Sequence, residues 1–354
     1  MMPPNYFFDY RKLLSEARLR MGQYSSPTNL KEVHELETSG EYSLPHTLLS
    51  SYACYFFSPQ TRESRFDPYH WRGINKPFEG LHIVQTSECE VQIASRVEFD
   101  QELLAFVRDS LGLWRQSFEA SFSNLPLAEE YPGVRVPKLH KSMIDVLIAV
   151  LCSGHTTVTN GRRWFIFLQT MYPGYCSLRG VDPYEVMRRS KEETGTSMGY
   201  RARYVMNAIS DLAQSSSPEK ELERIVKGND PDEVRRRLLS IKSVGPKTAD
   251  CFLLNALGDI SVPPVDVNVQ RVCSRLNLLP PRIELPQSAL CRAFLCSGGS
   301  EGCPRFKETE ELMRNFTPDP GGCLRAALKQ KWTNAGWIQS VSYTHLRAHE
   351  TVLD

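Results

Sequence analysis

The sequence predicts an α+β protein: a small N-terminal antiparallel sheet followed by a long, nearly all-helical region. Three observations carry this. Short β-type runs are confined to the first hundred residues, apolar residues recur at helical spacing from Met143 onward, and Pro, Gly or capping residues punctuate the helical stretches. The 354 residues hold 42 Lys+Arg against 41 Asp+Glu, with 41% hydrophobic and 23% charged residues, which excludes a disordered, collagenous or coiled-coil chain. At about 150 residues per domain the length suggests two or three domains. No apolar run approaches the roughly 18 residues that span a bilayer, and Met1-Met2-Pro3-Pro4 lacks a charged segment leading into an apolar one. The expectation is a protein neither membrane-bound nor secreted.

In chain order, residues 1–40 form an extension with no assignable role. Between Pro45 and Ala94, Leu81–Val84 and Cys89–Ile93 have strand character, and Leu103, Leu104, Phe106, Val107 and Leu111 predict a helix over 100–122. This gives a sheet domain over 41–130. After the break at Tyr131-Pro132-Gly133, the continuously apolar Met143–Leu151 predicts a buried helix, and Trp164, Phe165, Phe167 and Leu168 supply a second face. Asp230-Pro231-Asp232 opens a later helix with a cap and a first-turn Pro. Helices continue to the end of a domain spanning 131–341. Residues 342–354 have no periodicity and read as a non-native tail, so the native C-terminus is expected to be missing.

The 10 cysteines are too sparse for a disulfide framework, and Cys152, Cys251 and Cys273 sit in apolar runs, which fits a reducing intracellular setting. Cys291, Cys296, Cys303 and Cys323 are spaced unlike a tight zinc or iron–sulfur pattern, so no metal site is expected there.

The densest signal runs from Val234 to Asp266. Arg235, Arg236, Arg237, Lys242 and Lys247 put positive charges and no acid between Val234 and Ala249, which predicts a local basic face. Leu238 and Ile241 close one helix, Ser243-Val244-Gly245-Pro246 makes a tight turn, and Ala249, Phe252, Leu253 and Ala256 repeat at helical spacing until Gly258. In a helix, hairpin and helix of this kind, turn amides and the second helix's N-terminus point at an anion, and a DNA phosphate is the natural guest. A solvated surface hairpin is the plainer alternative. Lys247 lies just inside the second helix, where the dipole disfavours its protonated form and should lower its pKa, making it a candidate nucleophile or phosphate contact. Asp266 follows the stiff Val262-Pro263-Pro264-Val265; it is a helix N-cap that can also move protons or stabilise a cation. Cys251 shares the helix face of Lys247, as core or as a pocket wall.

Ser243-Val244-Gly245-Pro246-Lys247-Thr248-Ala249-Asp250-Cys251, with Pro264-Val265-Asp266-Val267-Asn268 nineteen residues after the Lys, resembles the helix-hairpin-helix DNA glycosylase superfamily, which includes endonuclease III. Gly199-Tyr200-Arg201-Ala202-Arg203-Tyr204-Val205 and Trp332-x-x-Ala335-Gly336-Trp337-Ile338-Gln339 narrow the resemblance to the 8-oxoguanine DNA glycosylases. Tyr131–Arg135 and the helix ending Leu151-Cys152-Ser153 are similar to the same family's entry into its core. The resemblance implies two helical subdomains behind the N-terminal sheet. It also implies a monomeric, DNA-associated intracellular enzyme of base excision repair that works without a cofactor. That enzyme flips a damaged base out of duplex DNA, cuts its glycosidic bond, and nicks the strand by β-elimination through a Lys Schiff base. Lys247 is then the nucleophile and Asp266 its acidic partner. Cys251 and Gln339 fall in the base pocket, and Ser243, Gly245, His155, Arg201 and Arg203 fall on the DNA.

Three positions depart from the family's pattern. Ser243 replaces the first Gly of the hairpin, and His155 replaces the Asn that fills the hole left by the flipped base. The aromatic that stacks on the base falls at Tyr343, inside the tail. Endonuclease III relatives carry an iron–sulfur cluster near the C-terminus, in the part expected to be missing. The alternatives are an endonuclease III-like lyase on oxidised pyrimidines or abasic sites, and a non-catalytic helix-hairpin-helix DNA-binding protein.

Overall fold

The computed structural model describes residues 32–38, 42–49, 51–62, 65–74, 78–95, 100–114, 131, 133–214, 217–280, 283–294, 303–315 and 322–342. The chain divides into two compact units: residues 1–139 with 337–354, and residues 140–336. The sequence-based division fell at 130/131 and 341/342.

The first unit is built on an antiparallel sheet of β1 (Glu32–Glu37), β2 (Phe57–Arg62), β3 (Arg65–Gly73), β4 (Leu81–Ser87) and β5 (Glu90–Ser95), in the order β1-β5-β4-β3-β2. β4 and β5 are the strands legible in the sequence. β1 lies inside the stretch left unassigned, because Glu-Val-His-Glu-Leu-Glu does not alternate cleanly. One face of the sheet is covered by aromatic packing: Phe57 and Phe78 ring centroids lie 4.6 Å apart, and Phe78 stacks on Phe106 at 5.1 Å. Phe106 belongs to α2 (Gln101–Ser110), which follows the short α1 (Leu44–Leu49). The helix predicted over 100–122 ends at Ser110, two residues before Gly112 takes a φ of 73°; residues 115–122 lie outside the described residues. Gln85, 1% exposed, ties α1 to the sheet by accepting from Leu44 N–H at 2.8 Å and donating to Tyr42 C=O at 2.6 Å. Gly133 is required by close approach and by conformation, since at its φ of 74° a Cβ would meet Tyr42 backbone at 2.7 Å. The unit is completed by residues 337–342, a helical segment in which Trp337 donates to Val134 C=O at 3.2 Å. That helix includes Ser342, and residues 343–354, with Tyr343, lie outside the described residues.

The second unit is helical. α3 (Met143–Ser153), α4 (Val158–Met171), α5 (Pro183–Thr194), α6 (Tyr200–Leu212), α7 (Pro218–Val226), α8 (Pro231–Ser240), α9 (Pro246–Leu257) and α10 (Val267–Arg275) are followed by α11 (Ser288–Ala293), α12 (Pro304–Asn315) and α13 (Leu324–Lys331). α3 is buried along almost its whole length, as its apolar run predicts, and it packs against α4 and α9. Asp230 caps α8 by accepting from Glu233 N–H at 2.9 Å. Gly258 ends α9 in the left-handed conformation at φ 70°. Gly336, the last residue of the unit, donates to Ile260 C=O at 2.8 Å, and a Cβ there would stand 2.7 Å from Val262 O, so only glycine fits.

Two carboxyls sit at the start of α3. Asp145 accepts from Tyr175 Oη at 2.5 Å and Gln169 Nε2 at 2.9 Å, and Glu219 on α7 accepts from Ile144 N–H at 3.2 Å. Burial pushes Glu219 up from 4.5 to about 7, opposed by the Ile144 amide and reinforced by Asp145. The folded state therefore holds this proton where the unfolded chain has released it. The associated stability is complete below about 4.5 and drains away as pH rises through about 7. Glu219→Gln should flatten this slope, so that urea unfolding at pH 8 shows the variant gaining on the wild type relative to pH 5; an equal difference at both pH values would refute the burial of this carboxyl.

Candidate active site

The hairpin between α8 and α9 is fixed from α6. Ser243 adopts φ 67°, a left-handed conformation costing about 1 kcal/mol or more in a residue with a Cβ. Its Oγ accepts from Asn207 Nδ2 at 3.1 Å, and the neighbouring Lys242 N–H donates to Asp211 Oδ2 at 2.8 Å. Thus the serine that replaces glycine keeps the glycine's backbone conformation and is held in it by a side chain of α6. Behind the turn, Arg292 donates to the carbonyls of Leu239 at 3.0 Å and Val244 at 2.9 Å. Gly245 is the N-cap of α9, Pro246 opens the helix, and no side chain caps that end. The first amides of α9 are left for a ligand, the arrangement that favours anions at helix N-termini.

Lys247 and Asp266 meet at this end of α9. Nζ of Lys247 lies 2.7 Å from Oδ2 of Asp266, while Oδ1 of Asp266 accepts from the amides of Asn268 at 2.9 Å and Val269 at 3.1 Å. The two oxygens divide the work, one capping α10 and the other facing the amine. Val262 and Val265, 1% and 4% exposed, anchor the Pro-Pro approach that aims Asp266. The Lys247 side chain is 43% exposed and that of Asp266 20%, so a large substrate can reach the amine without rearrangement of the core. The dipole of α9 disfavours a cation at Lys247, and the carboxylate beside it favours one. The pair can pass a proton between its members and present either a nucleophile or a cation-stabilising anion. Cys251, one turn along α9, is fully buried.

No family model matches the chain. The N-glycosylase/DNA lyase of Saccharomyces cerevisiae is 28% identical over 158 residues, 40% of this chain and 42% of that protein. A probable N-glycosylase/DNA lyase of Methanothermobacter thermautotrophicus is 38% identical over 80 residues, 23% of this chain and 24% of that protein. The chain matches less than half the length of these curated relatives. The crystal structure of Clostridium acetobutylicum 8-oxoguanine glycosylase/lyase, in complex with double-stranded DNA containing cytosine opposite 8-oxoguanine, aligns with a TM-score of 0.59 at 16% identity, over 91% of this chain and 100% of that one. The chain has the helix-hairpin-helix DNA glycosylase fold.

Within this glycosylase fold the other residues singled out by sequence are placed differently from one another. His155 stands exposed at the α3–α4 loop with φ 48°. Arg201, expected on the DNA, is instead 8% exposed and turned inward. It donates to the carbonyls of Gly154 and His155, each at 2.5 Å, and its guanidinium lies 4.7 Å from the Tyr200 ring centroid and 5.0 Å from that of Trp164. It clamps the loop that carries His155 and presents no free edge to a phosphate. Arg203 is exposed on α6 and makes no ion pair among the described residues. Gln339, half-buried, belongs to the first unit, whereas Lys247, Asp266 and Cys251 belong to the second.

The basic face expected from the charge run is neutralised residue by residue. Arg236 and Arg237 pair with Glu233 at 2.5 and 2.8 Å, Lys242 lies 3.9 Å from Asp211, and Lys247 faces Asp266. Arg235 is fully buried: its Nε lies 2.6 Å from Asp250 Oδ1, and Asp250 Oδ2 accepts from Arg325 Nε at 2.8 Å. This triad, two guanidiniums on one carboxylate, joins both arms of the glycosylase hairpin to α13. Sequence reasoning missed it, although Arg235 precedes Leu238 and Leu239 by three and four residues on the buried face of α8. Among the described residues no group of three or more His, Cys, Asp or Glu is placed to hold a metal ion.

Proposed function

We propose that this protein is a bifunctional DNA glycosylase and abasic-site lyase that removes an oxidised purine of the 8-oxoguanine kind from duplex DNA inside the cell. The observation that carries the reading is the 2.7 Å approach of the Lys247 amine to the Asp266 carboxylate at the uncapped end of the hairpin's second helix. It is supported by the fold shared with the Clostridium acetobutylicum 8-oxoguanine glycosylase/lyase and by the names of the curated relatives.

In this scheme the amides at the start of α9 hold a phosphate and the target nucleotide is turned out of the stack, because its sugar carbon is inaccessible within the helix. Asp266 takes a proton from Lys247. The neutral amine bonds to C1′ as the bond to the base breaks, and the base leaves with the electron pair and a proton. The sugar ring opens to a Schiff base on Lys247, loss of the C2′ proton expels the 3′ phosphate, and water then releases the enzyme. Asp266 also faces the cationic sugar and iminium stages. No cofactor enters this scheme.

Borohydride reduction in the presence of duplexes carrying 8-oxoguanine, an oxidised pyrimidine or an abasic site tests the reading. Covalent adducts are expected with the first and third. An adduct with the pyrimidine and not with 8-oxoguanine would move the substrate to the other base class, and absence of adduct with all three would leave a monofunctional glycosylase or a DNA-binding protein.

Two variants separate chemistry from folding. Asp266→Asn keeps an oxygen that can cap α10, so stability should hold to within about 1 kcal/mol, while loss of the proton acceptor should slow base excision about 10²–10⁴-fold in single-turnover assays. Gly245→Ala places a Cβ no closer than 3.8 Å to its nearest neighbour, Ser288 Oγ, at an ordinary φ of −96°. It should leave the melting temperature almost unchanged and weaken duplex binding about tenfold, because the methyl stands where a phosphate would approach the amides. Unchanged binding would return the hairpin to a surface turn.

A further inference from the structure

Arg292 lies on α11, outside the charge run of the hairpin, and its half-buried side chain reaches back behind the turn. Nη1 donates to Leu239 C=O at 3.0 Å and Nη2 to Val244 C=O at 2.9 Å. Leu239 is in the last turn of α8, where carbonyls lack helical partners and the dipole favours a cation. Capping α8 accounts for Nη1 alone. Nη2 holds a different group, the peptide between Val244 and Gly245. A trans peptide points its C=O and N–H in opposite directions, so an arginine fixed on the Val244 oxygen turns the Gly245 N–H away from itself. That N–H makes no hydrogen bond among the described residues. A cation on the carbonyl also polarises the amide and strengthens its N–H as a donor. The charge of Arg292 differs from that of the hairpin's other cations as well. Arg236, Arg237, Lys242 and Lys247 each face a carboxylate, whereas Arg292 makes no ion pair among the described residues.

We propose that Arg292 is a positioning residue for DNA binding: it sets the plane of the Val244–Gly245 peptide so that Gly245 N–H, with the first amides of α9, faces a backbone phosphate of the duplex. The inference rests on the phosphate role proposed above for the hairpin, and adds to it a side chain that does not touch the DNA. The planar fork fixes the direction of the donor, because it holds two carbonyls of the hairpin's arms at once. Its charge adds a positive potential behind the phosphate that no carboxylate among the described residues cancels. Affinity for the duplex is the property Arg292 controls, and the chemical step at Lys247 is not.

The test is binding of the full chain to a duplex carrying a tetrahydrofuran abasic-site analogue, which the Lys247 amine cannot attack. Wild type, Arg292→Gln, Arg292→Lys, Gly245→Ala and the double variant Arg292→Gln with Gly245→Ala are compared, each melted to show that it is folded at the assay temperature. Arg292→Gln should weaken binding about fivefold or more, through loss of the charge and of the fork. Arg292→Lys, which keeps the charge and loses the fork, should recover only part of this. The double variant should lose less than the product of the two single losses, because Arg292 acts through the amide that the methyl of Gly245→Ala already obstructs. Single-turnover nicking of an abasic-site duplex at saturating protein should stay within about twofold of wild type in the Arg292 variants, a separation that a general loosening of the helical unit would not give. Wild-type affinity in either Arg292 variant, a full product in the double variant, or slowed nicking at saturation would overturn the proposal. If Arg292→Gln does not fold, Arg292→Lys takes its place in the cycle. A loss in Gly245→Ala beside wild-type affinity in the Arg292 variants ends this proposal and leaves the hairpin's phosphate role standing, whereas no loss in Gly245→Ala ends both.

Discussion

Lys247→Gln should abolish covalent capture of an abasic-site duplex and slow strand nicking by a factor on the order of 10⁴ or more, the scale on which loss of a covalent nucleophile acts. The glutamine amide can still donate to Asp266 but has no lone pair that attacks C1′. Stability should barely change. The ion pair it removes involves a side chain 43% exposed, worth less than about 1 kcal/mol, and removing a cation from a helix N-terminus returns part of that. Duplex binding should stay within about tenfold, since the amides of α9 are untouched. The measurement is parallel: borohydride adduct, single-turnover nicking and a thermal melt on one preparation. An adduct that survives the substitution would show that a different amine performs the chemistry, and Lys247 would revert to a phosphate contact.

Asp250→Ala should cost about 3–5 kcal/mol, because it leaves two buried guanidiniums facing each other with no counter-charge. Against a total stability of about 5–15 kcal/mol this is enough to leave the second unit partly unfolded at physiological temperature. The asymmetry of the triad gives a second arm. Arg325→Met leaves the balanced pair of Arg235 and Asp250 and adds an apolar side chain of similar length, so it should cost far less. Urea unfolding of the two variants beside the wild type decides the matter, and equal losses would show that the carboxylate is not balancing both arginines.

What the sequence conveyed and what it concealed divide by range. The caps at Asp230 and Asp266, the Gly258 stop and the turn at Ser243–Gly245 depend on residues a few positions apart, and all are where the local chemistry puts them. The Lys247–Asp266 approach spans nineteen residues, yet the Pro-Pro segment makes its geometry nearly local. The triad's contact between Asp250 and Arg325 spans seventy-five residues, and no local pattern announces it. The arginines were misread for one shared reason: charge was taken as a sign of exposure. Arg235 lies on the stripe of Leu238 and Leu239, and Arg201 on the stripe of Val205, Ala208 and Leu212, all buried. An arginine at a stripe position is aimed inward and finds its partners there. β1 was missed for the opposite reason, since an edge strand of mixed polarity carries little periodic signal.

The first unit is discontinuous, and this sets an order in time. Trp337, Ile338 and Val341, 2%, 1% and 0% exposed, belong with residues 1–139, and Trp337 reaches Val134 across 203 positions of chain. On a ribosome the sheet emerges first but waits for nearly two hundred further residues before its last buried side chains exist. The helical unit in between is contiguous and can close as soon as it clears the exit tunnel. The piece made first is therefore finished last, and during elongation the N-terminal unit holds an uncovered apolar surface that a chaperone can recognise.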